Sequence, residues 1–215
     1  NGQISGDGTL NVLGTGRLAL TGTNTYSGGT YVEQGTLAGS TSSLQGNIEN
    51  NGTVEFSQSQ DGLFSGTMTG AGGLRKVGNG MLMLTGNSTM TGTSTVEAGS
   101  LSVNGRFGAG DLVVYDTASL YGSGIVDSSV RVLNGGTLTP GNSPGTLYVS
   151  GDVTLNDGSI FITEIDGRDY SLAGGAGSYD RVVLTGADST FTAAGSVNPI
   201  LRGISGNANN DFAPV

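Results

Sequence analysis

The ionisable chemistry of this chain is seventeen carboxylates, seven arginines and the single lysine Lys76, with neither histidine nor cysteine. A Ser-His-Asp or Cys-His nucleophile set is therefore excluded, because its base or its nucleophile is absent. A Ser–Lys pair would have to use Lys76, which sits in the turn-like stretch LRKVG (74–78). Glu33 and Glu97 are the tempting carboxylate pair, since they occupy equivalent positions of two similar passages, 2–37 and 66–101. If the offset between those passages is three stacked coils, the pair lies about 14 Å apart. Glycosidase carboxylates need about 5–9.5 Å, so both glutamates read as surface charge. The densest acidic cluster is Glu164, Asp166, Asp169 and Asp180. Glu164 and Asp166 share a strand face by period two. Glu164, Asp166 and Asp180 are the candidates for a hard-oxygen Ca²⁺ site, weighed against the preferred reading of a solvated strand end. GGAGSYDRV (174–182) approaches the Ca²⁺-binding nonapeptide pattern, but Tyr179 stands where the aspartate belongs, and the motif occurs once where a roll needs stacked copies. Tyr26, Tyr31, Tyr115, Tyr121, Tyr148, Tyr170 and Tyr179 could form a sugar-stacking row; scattered about one per coil, they read first as packing or turn residues. The residues thus predict no catalytic site, no cofactor and no enzyme.

These side chains need elements to position them, and the composition says which. Glycine reaches 41 residues against 4 prolines, without a collagen period. Short apolar runs recur, among them LNVL (10–13), RLALT (17–21), MLMLT (81–85), LVVY (112–115) and IFITEI (160–165), each bounded by Gly, Asn or Asp. That is the pattern of strands between turns, and no helical i, i+3, i+4 stripe of useful length competes with it. A formal net charge of −9 with no basic patch disfavours nucleic acid as a partner. Without cysteine the fold is held by its core rather than by disulfides. No apolar run is long enough for a membrane-spanning helix. The chain starts at Asn1 with no export-signal pattern and reads as a piece of something longer.

Residues 2–37 and 66–101 align without a gap, with sixteen of 36 positions identical, including Leu18/Leu82, Leu20/Leu84, Glu33/Glu97, Gly35/Gly99 and Leu37/Leu101. A self-match at a fixed period marks a repeat architecture. Divided by three, the offset gives units of about 21 residues, the length of a strand–turn coil with three short strands. The expected fold is all-β, a parallel β-helix. Alternation in RLALT and MLMLT points Leu18, Leu20, Leu82 and Leu84 inward. Asn-Gly and Asp-Gly pairs spread along the chain supply turns. Residues 134–147 hold two of the four prolines. A boundary is expected near 140, with longer strands in irregular, wider coils or a small cap beyond it, closing an open strand edge.

GTGRLALTGTNTYSGGTYVEQGTL (14–37) and GNGMLMLTGNSTMTGTSTVEAGSL (78–101) resemble the passenger-associated transport repeat of bacterial autotransporters, the type V secretion family. The first copy keeps Asn24, Tyr26 and Thr30, where the second has Ser88, Met90 and Ser94. GGTLTPGNSPGTLYVSGDVTLNDGSIFITEI and YDRVVLTG (within 135–186) resemble the C-terminal passenger segment of the same family. The resemblance implies a right-handed parallel β-helix exported through periplasm and outer membrane to the cell surface, with its own C-terminal outer-membrane β-barrel as partner. It implies a stem over residues 1–139 and an autochaperone-like cap over 140–215, which folds first and templates the rest. Two functions follow from different classes. One is a structural stem and secretion module displaying an N-terminal effector; the other is an adhesin-type surface for host glycans or proteins.

Overall fold

A computed structural model describes residues 2–142, 144–165 and 179–201. Every named strand among them pairs in parallel with strands of neighbouring coils, forming a parallel β-helix with three faces. Alternation builds its interior. On the third face Leu82, Leu101, Leu120 and Leu138 stand in register on four successive coils, all essentially fully buried. On the second face Phe56, Lys76, Val96, Val114, Val132 and Leu155 form another inward ladder. On the first, Ile48, Met68, Ser88, Phe107, Val126 and Val149 do the same. Each fully buried aliphatic or aromatic side chain contributes about 1.5–3 kcal/mol, and they form one hydrophobic cluster from Val12 to Leu155. The long strands Arg106–Val114 and Ile125–Val132 each run across two faces, with a register shift between Gly108 and Asp111.

The coils are shorter than the repeat offset suggests, and this corrects the meaning of the repeat. Thr30 pairs with Ile48, Ile48 with Met68, and the next register step places Met68 opposite Ser88. Three coils therefore carry Thr30 to Ser88, short of its repeat counterpart Ser94, and the offset overshoots by part of a coil. Thr30–Val32 lies on the first face and its counterpart Ser94–Val96 on the second. The second copy is thus rotated by one face. Local pairing survives the rotation: Leu18 stacks under Leu37 and Leu82 under Leu101, the same step in both copies. The repeat encodes how one coil sits on the next, not which side of the solenoid it occupies. Gly35 and Gly99 show the same local constraint. Both have positive φ (74° and 64°), and a Cβ would collide with the Gly14 carbonyl oxygen in one copy and with that of Gly78 in the other.

Leu82 and Leu84 point inward as expected, but Leu18 is 38% exposed and Leu20 is only half-buried. The strand Arg17–Ala19 is hydrogen-bonded on one side alone, to Thr36–Gly39, so no second coil covers Leu18 or the Leu20 that follows the strand. Beyond residue 140 the coils widen. Ile125 lies opposite Tyr148, a longer step than any coil before it, and Thr146 opposite Arg181, a longer one still. The strands there are not long: residues 146–165 divide into Thr146–Val149, Val153–Leu155 and Ile160–Ile165. The core is continuous across residue 140, since Leu138, Leu147, Val149 and Val153 belong to the same cluster.

Candidate functional site

The structure separates most of the residues whose chemistry drew notice. Glu33 follows a first-face strand and is exposed, while Glu97 follows a second-face strand and pairs with Arg75. They cannot act on one substrate atom, because they lie on different faces as well as different coils. Lys76 is not in a turn. It occupies an inward position of Gly73–Val77 and is fully buried, its Nζ donating to the carbonyls of Gly78 (2.7 Å), Ala98 (3.0 Å) and Val77 (3.2 Å). Burial pushes its ammonium down to about 8, against a smaller opposing pull from Asp61. The tyrosines form no row. Tyr31 and Tyr148 lie on the first face, Tyr121 on the third; Tyr26 is buried with its hydroxyl 2.9 Å from that of Thr30; Tyr179 lies 5.9 Å beneath the Arg181 guanidinium. Tyr170 lies outside the described residues.

Of the acidic candidates, Glu164 and Asp180 come together. The Glu164 backbone N–H donates to Asp180 Oδ2 at 2.9 Å, and Gly145 N–H donates to Asp180 Oδ1 at 2.8 Å. Asp180 therefore ties the loop after Pro140 to the strand Ile160–Ile165. Asp166, Asp169 and most of the GGAGSYDRV stretch lie outside the described residues. Among the described residues no three carboxylates gather at metal-binding spacing.

Glu164 and Asp180 close one end of a groove of about 410 Å³ on the solvent side of the third face. Its floor follows from the same alternation that buries the leucines. In Met81–Leu84 the even residues point in, so Met81 and Met83 point out. Met83, Ser102, Tyr121 and Thr139 then stand in register on consecutive coils. At the far end are Asp61 and Asn79; Asp61 Oδ1 accepts from the Met81 N–H at 2.7 Å. One wall is the loop of Pro140, Gly141 and Asn142. Asn142 folds back over two coils, its Nδ2 donating to Asn104 Oδ1 at 2.9 Å and Ser123 Oγ at 3.0 Å. Among the described residues no arginine or lysine lines the groove. It combines an aromatic ring, thioethers, hydroxyls, amides and carboxylates: binding chemistry, without a nucleophile–base pair. The outward methionines were open to sequence reasoning through the strand alternation. The fold-back of Asn142 onto Asn104 left no local signal.

The second face carries a different array. Glu55 is buried and accepts from Arg17 (2.7 Å), Arg75 (2.7 Å) and Ser57 (2.8 Å), while Arg75 grips Glu97 through two bonds of 2.6 and 2.8 Å. Burial alone would raise Glu55; the bonds from Arg17 and Ser57, then Arg75, outweigh it and hold the carboxyl below its ordinary value. Arg75 does the same for Glu97, against burial.

Parts of the chain are similar to known proteins. Residues 10–38 and 74–103 match the model of the passenger-associated transport repeat. An extracellular serine protease of Serratia marcescens is 35% identical over 112 residues, covering 51% of this chain and 10% of that protein. A second Serratia marcescens extracellular serine protease is 32% identical over 112 residues, covering 51% of the chain and 11% of the protein. The adhesin BmaC autotransporter of Brucella suis biovar 1 (strain 1330) is 38% identical over 81 residues, 37% of this chain and 2% of its own length. The chain thus spans 11% or less of the length of the curated relatives it matches.

Proposed function

We propose that this chain, a segment of a bacterial autotransporter passenger carrying two passenger-associated transport repeats, is a non-catalytic stem that helps its passenger fold outside the cell. The observation that carries this reading is the unbroken stack. Parallel pairing runs in register from Leu10–Val12 to Arg181–Leu184 on one face, over a single apolar cluster. Such a rod gains stability coil by coil as each new strand finds its neighbour's edge. It can therefore be exported as an extended chain and fold after passage, and no disulfide has to form first. Its partner is the outer-membrane β-barrel of its own polypeptide, its place is the cell surface or the medium, and it holds an effector away from the membrane. Relatives named as proteases and as an adhesin each match part of this chain, which supports a supporting role compatible with different effectors.

The wider coils after residue 140 are the proposed folding nucleus. Residues 140–215 would be deleted from the full-length protein and the cells assayed for surface or released passenger. The expected result is loss of export, or a passenger degraded by added protease. Normal export of a protease-resistant passenger would overturn this reading.

A second reading, a surface that contacts host glycans or proteins, is favoured by one observation: the groove on the third face with its Tyr121 and Met83 floor.

A further inference from the structure

The third-face groove has a composition that selects among ligands. We infer that it binds a segment of an uncharged oligosaccharide lying along the solenoid axis, with one ring stacked on Tyr121; this rests on the binding-surface reading. Size is the first argument. A volume of about 410 Å³ lies within the range of about 300–1,000 Å³ typical of small-ligand sites. Shape is the second. Met83, Ser102, Tyr121 and Thr139 are in register on consecutive coils. Parallel strands lie about 4.8 Å apart, so the floor is a strip about 14 Å long running along the axis. A linear chain of two or three rings fits it better than a compact molecule.

Chemistry is the third argument. A sugar ring offers a C–H face and a rim of hydroxyls. Tyr121 and Met83 offer a flat aromatic surface and a polarisable thioether to that face. Asn79, Asn142 and Asp61 offer donors and acceptors to the rim. The Thr139 hydroxyl on the same floor is buried and has no hydrogen-bond partner among the described residues, the state of a polar group that a ligand or a water completes.

Competing occupants fit less well. Asp61 and Glu164 line the groove and no cationic side chain of the described residues does, so sulfated, phosphorylated or uronic chains meet like charge. A peptide adding as a strand needs an unpaired sheet edge, but the strands beneath the groove are paired on both sides by neighbouring coils. Proline-rich peptides dock in grooves lined by several aromatic rings, and Tyr121 is the one aromatic residue among the described ones that line this groove.

The test presents the full chain with immobilised cellohexaose, maltohexaose and chitohexaose as neutral probes. Heparin and polygalacturonate serve as anionic probes, and a random peptide library as a third class. Beads coated with the chain are tested in parallel for adhesion to host cells. The expected result is millimolar or tighter binding to at least one neutral probe. That affinity should fall about tenfold or more in Tyr121→Ala, persist in Tyr121→Phe, and stay unchanged in Tyr31→Ala on the first face. Circular dichroism confirms that each variant folds. Preference for an anionic probe or for peptides, or neutral-probe binding that Tyr121→Ala leaves intact, overturns the proposal. Bead adhesion without neutral-glycan binding removes this ligand assignment but keeps the binding-surface reading; absence of both removes the two together.

Discussion

Lys76 brings a positive charge into a ladder of Phe56, Val96 and Val114, and three backbone carbonyls are what it has in place of water. Those carbonyls hold the ammonium at the corner of the coil, and burial still pulls its pKa to about 8 from 10.5. The folded-state value lies below the unfolded one, so between those values the unfolded chain binds more protons than the folded one. Stability therefore rises with pH in that window. Denaturant titrations at pH 8 and pH 9, below the range where tyrosines ionise, should show stability climbing at up to about 1.4 kcal/mol per pH unit. Lys76→Met should flatten that climb; an equal slope in the variant would refute the assignment. Thr117 raises a different issue. It has φ of 62°, the one positive value outside glycine among the described residues, and a β-branched residue there is strained. Thr117→Gly should raise stability by about 1 kcal/mol, read from the denaturation midpoint.

The ion ladder and the leucine ladder bind coils together in opposite ways. Arg17, Glu55, Arg75 and Glu97 link three second-face strands and the turn after a fourth, the two arginines about half exposed and Glu55 nearly covered. Both glutamates are held below the ordinary carboxylate value, so their contribution is complete above that range. It is lost as pH falls through their lowered values. Acid unfolding of Glu55→Gln should accordingly show a shallower stability loss below about pH 4 than the parent, with about 1 kcal/mol less stability at pH 7. On the third face Leu82→Ala should cost about 2–5 kcal/mol. Leu18→Ala, at the equivalent but partly exposed position of the other copy, should cost less than about 1 kcal/mol. Equal costs would mean that the copies are buried alike. The inward leucines were legible because RLALT and MLMLT alternate with period two. Lys76 obeys the same alternation, two places from Leu74, yet a lone lysine among glycines reads as a turn, because nothing local announces a cage of carbonyls. The rotation of the second copy was hidden for a related reason. An offset counts residues, whereas faces are set by coil lengths, and these vary: the step from Leu10 to Thr30 is longer than the next, from Thr30 to Ile48. The groove was half legible, its methionines in the alternation and its wall only in the fold-back of Asn142.

A solenoid is bound along one dimension, so the position of a coil decides how firmly it is held. Central coils have a neighbour on each side. The first coil shows Ile4, Leu13 and Leu18 to solvent, and the last described one shows Phe191, Val197 and Ile200. In a nearest-neighbour chain these ends open alone, while a central strand is exposed only by a much larger unfolding event. Amide exchange on the full chain should therefore show graded protection. The slowest amides should lie in the strands of residues 74–138, where the leucine ladder and the long strand Arg106–Val114 coincide, and the fastest near residues 5–19 and 191–201. The grading also bears on the two proposed roles. A stem loses little when its ends fray, whereas the groove spans coils from Asp61 to Asp180 and needs the loop after Pro140 that Asp180 pins. Asp180→Asn weakens that pin. It should speed exchange at Gly145 and Glu164 and leave Leu101 and Leu120 protected. Equal acceleration in the central strands would mean that the wall of the groove and the core of the stem unfold as one unit.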